Sequence, residues 1–457
     1  MITSDFSLLK LHPGLLKNLG SLGYESMTSI QALSLPAILD GKDVIGQSKT
    51  GSGKTAAFGL GLLHKLNVKS FKVQSIVLCP TRELADQVSV EIRNLARAIH
   101  NIKILTLCGG ASFGPQIGSL EHGAHIVVGT PGRIEEHLRK KTLKLDHVEM
   151  LVLDEADRML DMGFQDTIDD IVEKIPDNRQ TLLFSATYPQ EIEDIAMRVM
   201  NNPIVVNAPS TDEESTIKQY FYQINTDDER MNALRILLAK HKSESTLVFC
   251  NTKLDTQDVA DELLHYGFYA LAIHGDLDQR ERDQALIRFS NKSVSVLVAT
   301  DVAARGLDID ALDLVVNFNV AHDPEVHVHR IGRTGRAGRS GIAVTLFNDK
   351  ETRKLDALEI GETAAELPSD SYLDKPVKRP EMTTLKIDGG KKQKLRPGDI
   401  VGCLTGKDGI PGAAIGKITV SSNWSYIAVE SELVKTALTK IQNDKLKGKT
   451  FRVRILS

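Results

Sequence analysis

The chain has 457 residues, enough for roughly two to four domains of ordinary size. Its 41% hydrophobic and 25% charged residues are typical of a globular protein, and no apolar run is long enough to cross a bilayer. The four cysteines form no Cys-x-x-Cys pair, which argues against a disulfide framework or structural zinc and favours a reducing, cytoplasmic location.

The first part of the chain alternates short apolar runs with longer polar-apolar segments. Runs this short and this apolar predict strands buried on both faces, as in a parallel sheet covered by helices. The predicted strands are 43–46, 75–79, 102–107, 125–129, 150–153, 181–184 and 204–207. Alternating strands and helices indicate an α/β domain, which we assign to residues 1–208.

The same rhythm returns after a polar, acidic linker at 207–216. A second α/β domain is predicted over residues 217–361, followed by a proline-containing linker at 362–380. The predicted strands of the second domain are 219–224, 245–250, 270–273, 293–299, 312–318 and 341–347.

The last predicted domain, residues 381–457, has a different element order. We predict strand 384–387, helix 394–404, strands 415–420 and 426–429, helix 432–443 and strand 451–455. A β-α-β-β-α-β order indicates a small α+β domain of the kind that RNA-recognition motifs use.

This last domain is also the basic part of the chain. It holds 14 Lys and Arg against 7 Asp and Glu, a net charge of +7, whereas the remainder, with 42 against 53, carries −11. A basic appendix on acidic domains indicates contact with nucleic acid. We predict RNA binding by the first of two basic clusters, at 391–396 and 445–449. Its residues are Lys391, Lys392, Lys394 and Arg396.

A phosphate-binding loop is predicted at residues 48–55, between a strand and an apolar helix. Glycines in such a loop let backbone N–H groups surround phosphate oxygens, and the helix N-terminus adds its positive dipole. Ser52 and Gly53 would contact the nucleotide, Lys54 would reach its β- and γ-phosphates, and Thr55 would ligate Mg²⁺.

Two acidic residues follow the predicted strand 150–153. In open α/β sheets, ligands bind at the carboxyl ends of strands. Asp154 would hold Mg²⁺, and Glu155 would orient or deprotonate the water that attacks the γ-phosphate. Together with the phosphate loop, this pair predicts nucleotide hydrolysis, with Lys54 and Glu155 as catalytic residues.

Asp154-Glu155-Ala156-Asp157 resembles the signature of the DEAD-box RNA helicases, and further motifs of that family follow in order. The resemblance implies two tandem RecA-like domains, ATP and Mg²⁺ as cofactors, and RNA-stimulated hydrolysis that unwinds short duplexes. Residues 23–31 resemble the Q motif, which reads adenine. It includes Tyr24 and Gln31, and in the family Gln31 bonds the base edge while Phe6 would stack on it.

Several loops of the first domain resemble the family's RNA-backbone elements. Each follows a predicted strand and offers hydroxyls, free N–H groups or an Arg to phosphates. The residues are Pro80, Thr81, Arg82, Gly109, Gly110, Thr130, Gly132 and Arg133. Ser185 and Thr187 resemble the motif that couples hydrolysis to strand separation through Asp157.

The second domain carries the remaining motifs. Gln279 with Arg282 resembles the family's fourth motif. In the fifth, Thr300 and Gly306 would face RNA and Asp308 the ribose. The sixth motif spans 329–336, with His329 in a coupling role and Arg333 and Arg336 as arginine fingers. An arginine supplied from another domain stabilises the γ-phosphate transition state only when the cleft is closed, which would couple ATP and RNA binding.

The C-terminal segments 387–392, 396–399, 404–406 and 415–418 resemble the tail of a bacterial branch of this family. That branch uses its RNA-recognition-like tail to find 23S ribosomal RNA. The resemblance implies 23S rRNA and pre-50S ribosomal particles as partners, in large-subunit assembly. With no coiled-coil pattern in the sequence, we expect a monomer.

Two other functions use the same residues. One is an ATP-gated RNA clamp or ribosome-assembly scaffold with little unwinding activity, which the motifs do not separate from a helicase. The other is a DNA helicase or translocase, against which the Q motif and the Asp-Glu-Ala-Asp run argue by resemblance.

Overall fold

The computed structural model describes residues 4–48, 51–188, 190–208, 217–304, 312–335, 340–356, 358 and 365–456. These residues form two compact units, one ending at residue 208 and the other beginning at residue 217. In the described part of the chain, no helix is both long and apolar enough for a membrane span.

The first unit contains a seven-stranded sheet in the order β3-β4-β2-β5-β6-β1-β7, with every neighbouring pair parallel. The strands are β1 Val44–Gln47, β2 Ser75–Leu78, β3 Ile104–Leu107, β4 Ile126–Gly129, β5 Met150–Asp154, β6 Gln180–Ser185 and β7 Ile204–Asn207. The helices are α1 Pro13–Ser21, α2 Ser29–Leu39, α3 Lys54–Lys65, α4 Arg82–Leu95, α5 Phe113–Glu121, α6 Pro131–Arg139, α7 Ala156–Asp161, α8 Gln165–Val172 and α9 Gln190–Val199.

The central strands of this sheet are buried on both faces, which explains why their sequences are apolar throughout. All residues of β2, β4, β5 and β6 are buried, and a separate apolar core packs on each side of the sheet. At the edge, where β7 pairs with β1 alone, Ile204 and Val205 are exposed. The predicted parallel α/β architecture is confirmed.

Strand order divides the carboxyl edge of this sheet into two halves. The loops after β3, β4 and β2 carry the predicted RNA contacts. The loops after β5, β6 and β1 carry the predicted nucleotide and coupling residues. Because parallel strands deliver all these loops to one edge, two ligand sites can lie side by side on one rigid sheet.

The second unit contains a six-stranded parallel sheet in the order β10-β11-β9-β12-β13-β8. The strands are β8 Ile217–Gln223, β9 Thr246–Cys250, β10 Ala270–Ile273, β11 Val296–Thr300, β12 Leu314–Asn317 and β13 Gly341–Phe347. The helices are α10 Asp227–His241, α11 Lys253–His265, α12 Gln279–Ser290, α13 Asp301–Ala304, α14 Pro324–Ile331 and α15 Thr352–Asp356.

The same unit ends in a four-stranded antiparallel sheet, here called the tail sheet, in the order β15-β16-β14-β17. Its elements are β14 Met382–Ile387, α16 Pro397–Leu404, β15 Ile415–Val420, β16 Ser425–Glu430, α17 Val434–Asn443 and β17 Val453–Leu456. Both helices pack on one face, over a core that includes Leu385, Ile427 and Ile441. This order and pairing confirm the predicted RNA-recognition-like fold.

The predicted start of the first tail helix is wrong. The helix predicted over 394–404 begins at Pro397, and Lys391–Gln393 form a separate 3-10 turn. Lys394 has φ +62°, a left-handed conformation that ends the turn. The Asp399 carboxylate accepts the Arg396 backbone N–H at 2.8 Å, and proline suits a first helical position, so the helix starts there.

Candidate active site and nucleic-acid interface

The described residues of the predicted phosphate loop, 48 and 51–55, run from the end of β1 into the first turn of α3, whereas Lys49 and Thr50 lie outside the described part of the chain. Lys54, the first residue of α3, is buried, and its ammonium donates to the Ser48 carbonyl at 2.9 Å. The hydroxyls of Ser48 and Ser52 share a hydrogen bond of 2.7 Å. Gly53 has φ +94°, a left-handed conformation that glycine adopts without steric cost. Thr55 follows on the same helix and is half-buried.

Gln31 connects the predicted adenine-reading segment to this loop. Its amide nitrogen donates to the Gly53 carbonyl at 3.1 Å, and its amide oxygen accepts from the Thr28 backbone N–H at 3.0 Å. A Cβ on Gly53 would overlap the Gln31 amide, so this position needs glycine for space as well as for backbone angle. Sequence reasoning missed this contact, because nothing in the pattern pairs residue 31 with residue 53.

Phe6 and Tyr24 lie together beside this segment. Phe6 is buried in the core, and its ring meets the Tyr24 ring edge-on at a centroid distance of 6.3 Å. The Tyr24 hydroxyl donates to Glu91 at 3.4 Å, and burial together with the Glu91 charge raises the pKa of Tyr24 to about 12. Adenine contact by these rings stays a prediction.

Asp154 ends β5 with its carboxylate buried at the sheet edge. Burial raises the pKa of Asp154 to about 7, although the Lys54 charge acts to lower it. Such a desolvated carboxylate suits a cation. Among the described residues, no three His, Cys, Asp or Glu side chains form a metal cage. This donor set fits Mg²⁺, which takes one or two carboxylates together with phosphates and water.

Glu155 follows Asp154 in a strained backbone conformation. Its φ of 51° and ψ of 54° place a non-glycine residue in the left-handed region, and its backbone N–H donates to Asp154 at 3.1 Å. Such outliers persist where the surrounding structure holds them, often at functional sites. Its side chain is half-buried, unlike the fully buried Asp154.

Asp157 ties the end of β5 to the end of β6. One carboxylate oxygen accepts from the backbone N–H groups of Ala186 and Thr187, both at 3.2 Å, and from the Thr187 hydroxyl at 3.1 Å. The Ser185 carbonyl accepts from the Ser48 backbone N–H at 3.0 Å. The predicted coupling residues of the first unit are thus brought together against the phosphate loop.

On the other half of the edge, Arg82 lies against the paired glycines. A Cβ on Gly110 would overlap the Arg82 guanidinium, and one on Gly109 would come within 3.0 Å of it. The Thr81 hydroxyl accepts the Leu84 backbone N–H at 3.2 Å and caps α4. Pro80, the residue before Thr81, is buried. These loop residues are in mutual contact, and their RNA contact stays a prediction.

Arg133 is engaged by protein groups. Its guanidinium donates to the Ala111 carbonyl at 3.1 Å and to Gln116 at 2.9 Å, and it pairs with Glu136 at 3.1 Å. Gln116 also donates to the Cys108 carbonyl at 3.0 Å. The sequence analysis did not predict a role for Gln116, because no pattern distinguishes it from an ordinary polar residue of a surface helix. Beside Arg133, Gly132 is exposed and Thr130 half-buried, at the start of α6.

Arg330 organises the carboxyl edge of the second parallel sheet. It is 1% exposed and forms a bidentate ion pair with Asp301, at 2.6 and 2.7 Å. It also donates to the Asn251 side chain at 2.7 Å and to the Asn319 carbonyl at 2.8 Å. It therefore joins the residues that follow β9, β11 and β12. No pattern in the sequence distinguishes this arginine from the predicted finger at Arg333.

The other predicted site residues of the second unit differ in burial, and some lie outside the described part of the chain. Arg333 is buried just after α14, and His329 is half-buried on that helix. Thr300 is buried, and its hydroxyl accepts the Ala303 backbone N–H at 3.3 Å at the start of α13. Three predicted site residues lie outside the described part of the chain: Gly306, Asp308 and Arg336.

The two basic clusters of the tail lie side by side. Lys391 and Lys392 are anchored by backbone hydrogen bonds to the carbonyls of Ser421 and Ser422, at 2.8 and 3.0 Å, and their side chains are exposed. From the second cluster, the Lys447 ammonium donates to the Lys394 carbonyl at 2.8 Å. Lys394 and Arg396 are exposed as well. Distant segments thereby form one basic surface.

Comparison with known proteins agrees with this architecture. Residues 28–195 match the DEAD/DEAH box helicase family, and residues 229–338 match the helicase conserved C-terminal domain. A structure of Saccharomyces cerevisiae Dbp5 bound to RNA and ADP BeF3 is similar, with TM-score 0.73 and 29% identity, over 82% of this chain and 100% of that one. Bacillus subtilis CshA, a DEAD-box ATP-dependent RNA helicase, is 44% identical over 78% of this chain and 72% of its own.

The chain belongs to the DEAD-box family of ATP-dependent RNA helicases, and it binds ATP and RNA. Within that family, residues 384–455 match the DbpA RNA-binding domain. The chain is 53% identical to the ATP-dependent RNA helicase DbpA of Escherichia coli K12, over 100% of both chains. It is therefore a helicase of the DbpA type, and the clamp or scaffold alternative is not favoured.

The burial of Arg330 predicts a large loss of stability on truncation. Arg330→Ala would leave Asp301 buried without its partner and lower the free energy of unfolding by about 3–5 kcal/mol. Urea denaturation measures this loss. Arg139→Ala, which removes an exposed ion pair with Glu135, is the matched control and should cost under about 1 kcal/mol. Equal effects of the two substitutions would contradict the organising role of Arg330.

His137 predicts a pH dependence of the first unit. Burial, and secondarily Arg133, lowers the pKa of His137 to about 4, so this group gives stability above its unfolded pKa near 6.5 that is lost as the pH falls toward 4. His137→Asn should reduce the change of the free energy of unfolding with pH between those values. Substitution of the exposed His100 by Asn should leave that pH dependence unchanged. Burial lowers the pKa of His327 in the second unit to about 4 too, so part of the slope remains. An unchanged slope in His137→Asn would refute this assignment.

Proposed function

We propose that this helicase hydrolyses ATP at the half of the first sheet edge that carries the β1, β5 and β6 loops. The observation that carries the proposal is the buried Asp154 carboxylate. The Lys54 charge offsets only part of the effect of burial on this group. Lys54 would exchange its bond to the Ser48 carbonyl for the β- and γ-phosphates, assisted by backbone N–H groups of Ser52 and Gly53.

Thr55 and Asp154 would hold Mg²⁺, which neutralises charge that develops on the phosphates. Glu155 would receive the proton of the attacking water, and its left-handed backbone sets its side chain apart from Asp154. Arg333 and Arg336 would supply positive charge to the γ-phosphate as it departs, and Asp308 would contact the ribose. Phe6, Tyr24 and Gln31 would select adenine.

RNA would contact the half of the edge with the β2, β3 and β4 loops, and in the second unit Thr300 and Gly306. Arg82 and Arg133 would bind phosphates, together with backbone N–H groups and hydroxyls around Gly109, Gly110, Thr130 and Gly132. Asp157 would transmit the state of the nucleotide site, because it binds Thr187 at the end of the neighbouring strand. His329 would join this relay from the second unit.

We further propose that the tail directs the helicase to 23S rRNA in pre-50S ribosomal particles, where it opens short duplexes during large-subunit assembly. The joined basic surface at 391–396 and 445–449 supports this role, since exposed lysines neutralise phosphates. The protein would act in the cytoplasm and as a monomer.

Glu155→Gln tests the hydrolytic assignment. The substitution keeps the size and hydrogen-bonding reach of the side chain but removes the base, so turnover should fall by about 10²–10⁴-fold. ATP and RNA binding should be retained, because Lys54 and the phosphate loop are untouched. RNA-stimulated phosphate release, nucleotide binding and RNA binding together measure this. Loss of ATP binding in this variant would contradict the role given to Glu155.

The Lys391→Ala/Lys392→Ala double variant tests the tail. Removal of two phosphate contacts should weaken binding to a 23S rRNA transcript and reduce the salt dependence of that binding by about two counterions. Lys435→Ala, on the exposed surface of α17, is the matched control. Binding to 23S rRNA, with 16S rRNA for comparison, reads out the effect. If the double variant keeps wild-type affinity and salt dependence, the basic surface is not the RNA contact.

A further inference from the structure

Gln116 joins two loops at the carboxyl edge of the first sheet. It lies on α5, and the residue is only 8% exposed. Its amide nitrogen donates to the Cys108 carbonyl at 3.0 Å, just after β3. Its amide oxygen accepts from Arg133 at 2.9 Å, in the first turn of α6 after β4. One buried side chain therefore ties together the segments that follow two neighbouring strands.

The surrounding hydrogen bonds fix which way the Gln116 amide points. Because the nitrogen donates to Cys108, the oxygen is the acceptor that faces Arg133. His137 Nε2 lies 2.9 Å from the same oxygen, so this ring nitrogen carries a proton and donates. The other ring nitrogen, Nδ1, is left to accept from the Thr142 hydroxyl at 2.8 Å. A reversed amide would point donors at the N–H groups of Arg133 and His137, so only one orientation satisfies the network.

The paired glycines after β3 are held on both sides by this network. The carbonyl before them, on Cys108, accepts from Gln116, and the carbonyl after them, on Ala111, accepts from Arg133 at 3.1 Å. Gly110 has φ +72°, a left-handed conformation that glycine adopts without steric cost. Two glycines alone would leave this backbone many conformations. The two engaged carbonyls restrict it to one, and so set the direction of the N–H groups between them.

The Phe113 ring packs against the same network. It stacks on the His137 ring with 4.2 Å between centroids and 18° between planes. The Arg133 guanidinium lies 5.4 Å from the Phe113 centroid, and the Lys140 ammonium lies 4.0 Å from it. Such cation–π contacts are attractive. The Arg133 side chain is 11% exposed, so protein groups set its direction before any RNA is bound.

We propose that Gln116 is a positioning residue of the helicase, which holds the paired glycines and Arg133 in the one arrangement that fits an RNA backbone. The inference rests on the proposed RNA contacts of Gly109, Gly110 and Arg133. Gln116 acts through these groups, because it is buried and both of its amide atoms already have protein partners. Without it, RNA would have to order the two segments as it binds, which costs affinity.

The test uses the full chain with polyuridylate, which lacks the proposed ribosomal target of the tail. Gln116→Leu removes both amide bonds and should raise the RNA concentration needed for half-maximal ATPase by about three- to tenfold, the range of a net hydrogen-bond contribution. The maximal rate and the KM for ATP at saturating RNA should stay unchanged, because the proposed nucleotide half is untouched. Asn18→Leu is the matched control, since it removes a buried amide that donates to the Asn94 and Leu95 carbonyls, both at 2.8 Å. It should leave the RNA requirement unchanged.

Hydrogen–deuterium exchange without RNA separates positioning from a general loss of stability. In Gln116→Leu, the backbone amides of residues 109–111 should exchange faster than in the wild type, whereas in Asn18→Leu they should not. Unchanged exchange at 109–111 in Gln116→Leu would show that the amide does not hold this loop, and would overturn the proposal. If Gln116→Leu does not fold, Gln116→Glu replaces it, because it keeps the acceptor for Arg133 and loses the donor to Cys108. A wild-type RNA requirement in Gln116→Glu would overturn the proposal equally.

Arg133→Ala distinguishes failure of this proposal from failure of the proposed RNA contact. If Arg133→Ala leaves the polyuridylate requirement unchanged, the RNA contact of this edge is wrong, and the role of Gln116 falls with it. If Arg133→Ala raises the requirement but Gln116→Leu does not, the RNA contact stands and the positioning role of Gln116 is refuted. An equal rise in Asn18→Leu and Gln116→Leu would trace the effect to lost stability and would also refute it.

Discussion

Parallel pairing is the constraint on which both proposed ligand sites of the first unit depend. Seven parallel strands deliver their carboxyl ends to one edge, and strand order sorts the loops there into a proposed nucleotide half and a proposed RNA half. The boundary falls between β2 and β5, which are hydrogen-bonded neighbours. Two polyanions can therefore be held close together by one rigid sheet, with no need for the strands themselves to move.

Buried ionic groups then fix how the strand ends stand relative to each other. Asp157 joins the ends of β5 and β6, and Arg330 joins the residues that follow three strands of the second sheet. Burial of such charges is costly unless each is hydrogen-bonded, and here each has several partners. Their value lies in setting one geometry, because a shift of either strand end would leave a charge without its partner.

The sequence predicted the strands well where burial on both faces made them apolar throughout, as at β5. It predicted Lys54 and Asp154 because a phosphate loop and a strand-end carboxylate have recognisable spacing. It did not predict Gln116 or Arg330, whose importance comes from partners distant in the chain. The contact of Arg280 with Trp424 joins two domains, and no periodicity encodes such a pair. The start of α16 was predicted too early. The helix pattern was extended back into the basic run before Pro397, whereas the proline marks the first helical position.

We propose that the nucleotide and RNA halves are energetically coupled. The most direct test measures the affinity for a non-hydrolysable ATP analogue with and without saturating RNA, and the affinity for RNA with and without saturating analogue. Linkage requires both ratios to equal one factor, and for a coupled helicase we expect about 5–150-fold. Analogue affinity that is the same with and without RNA would contradict the account.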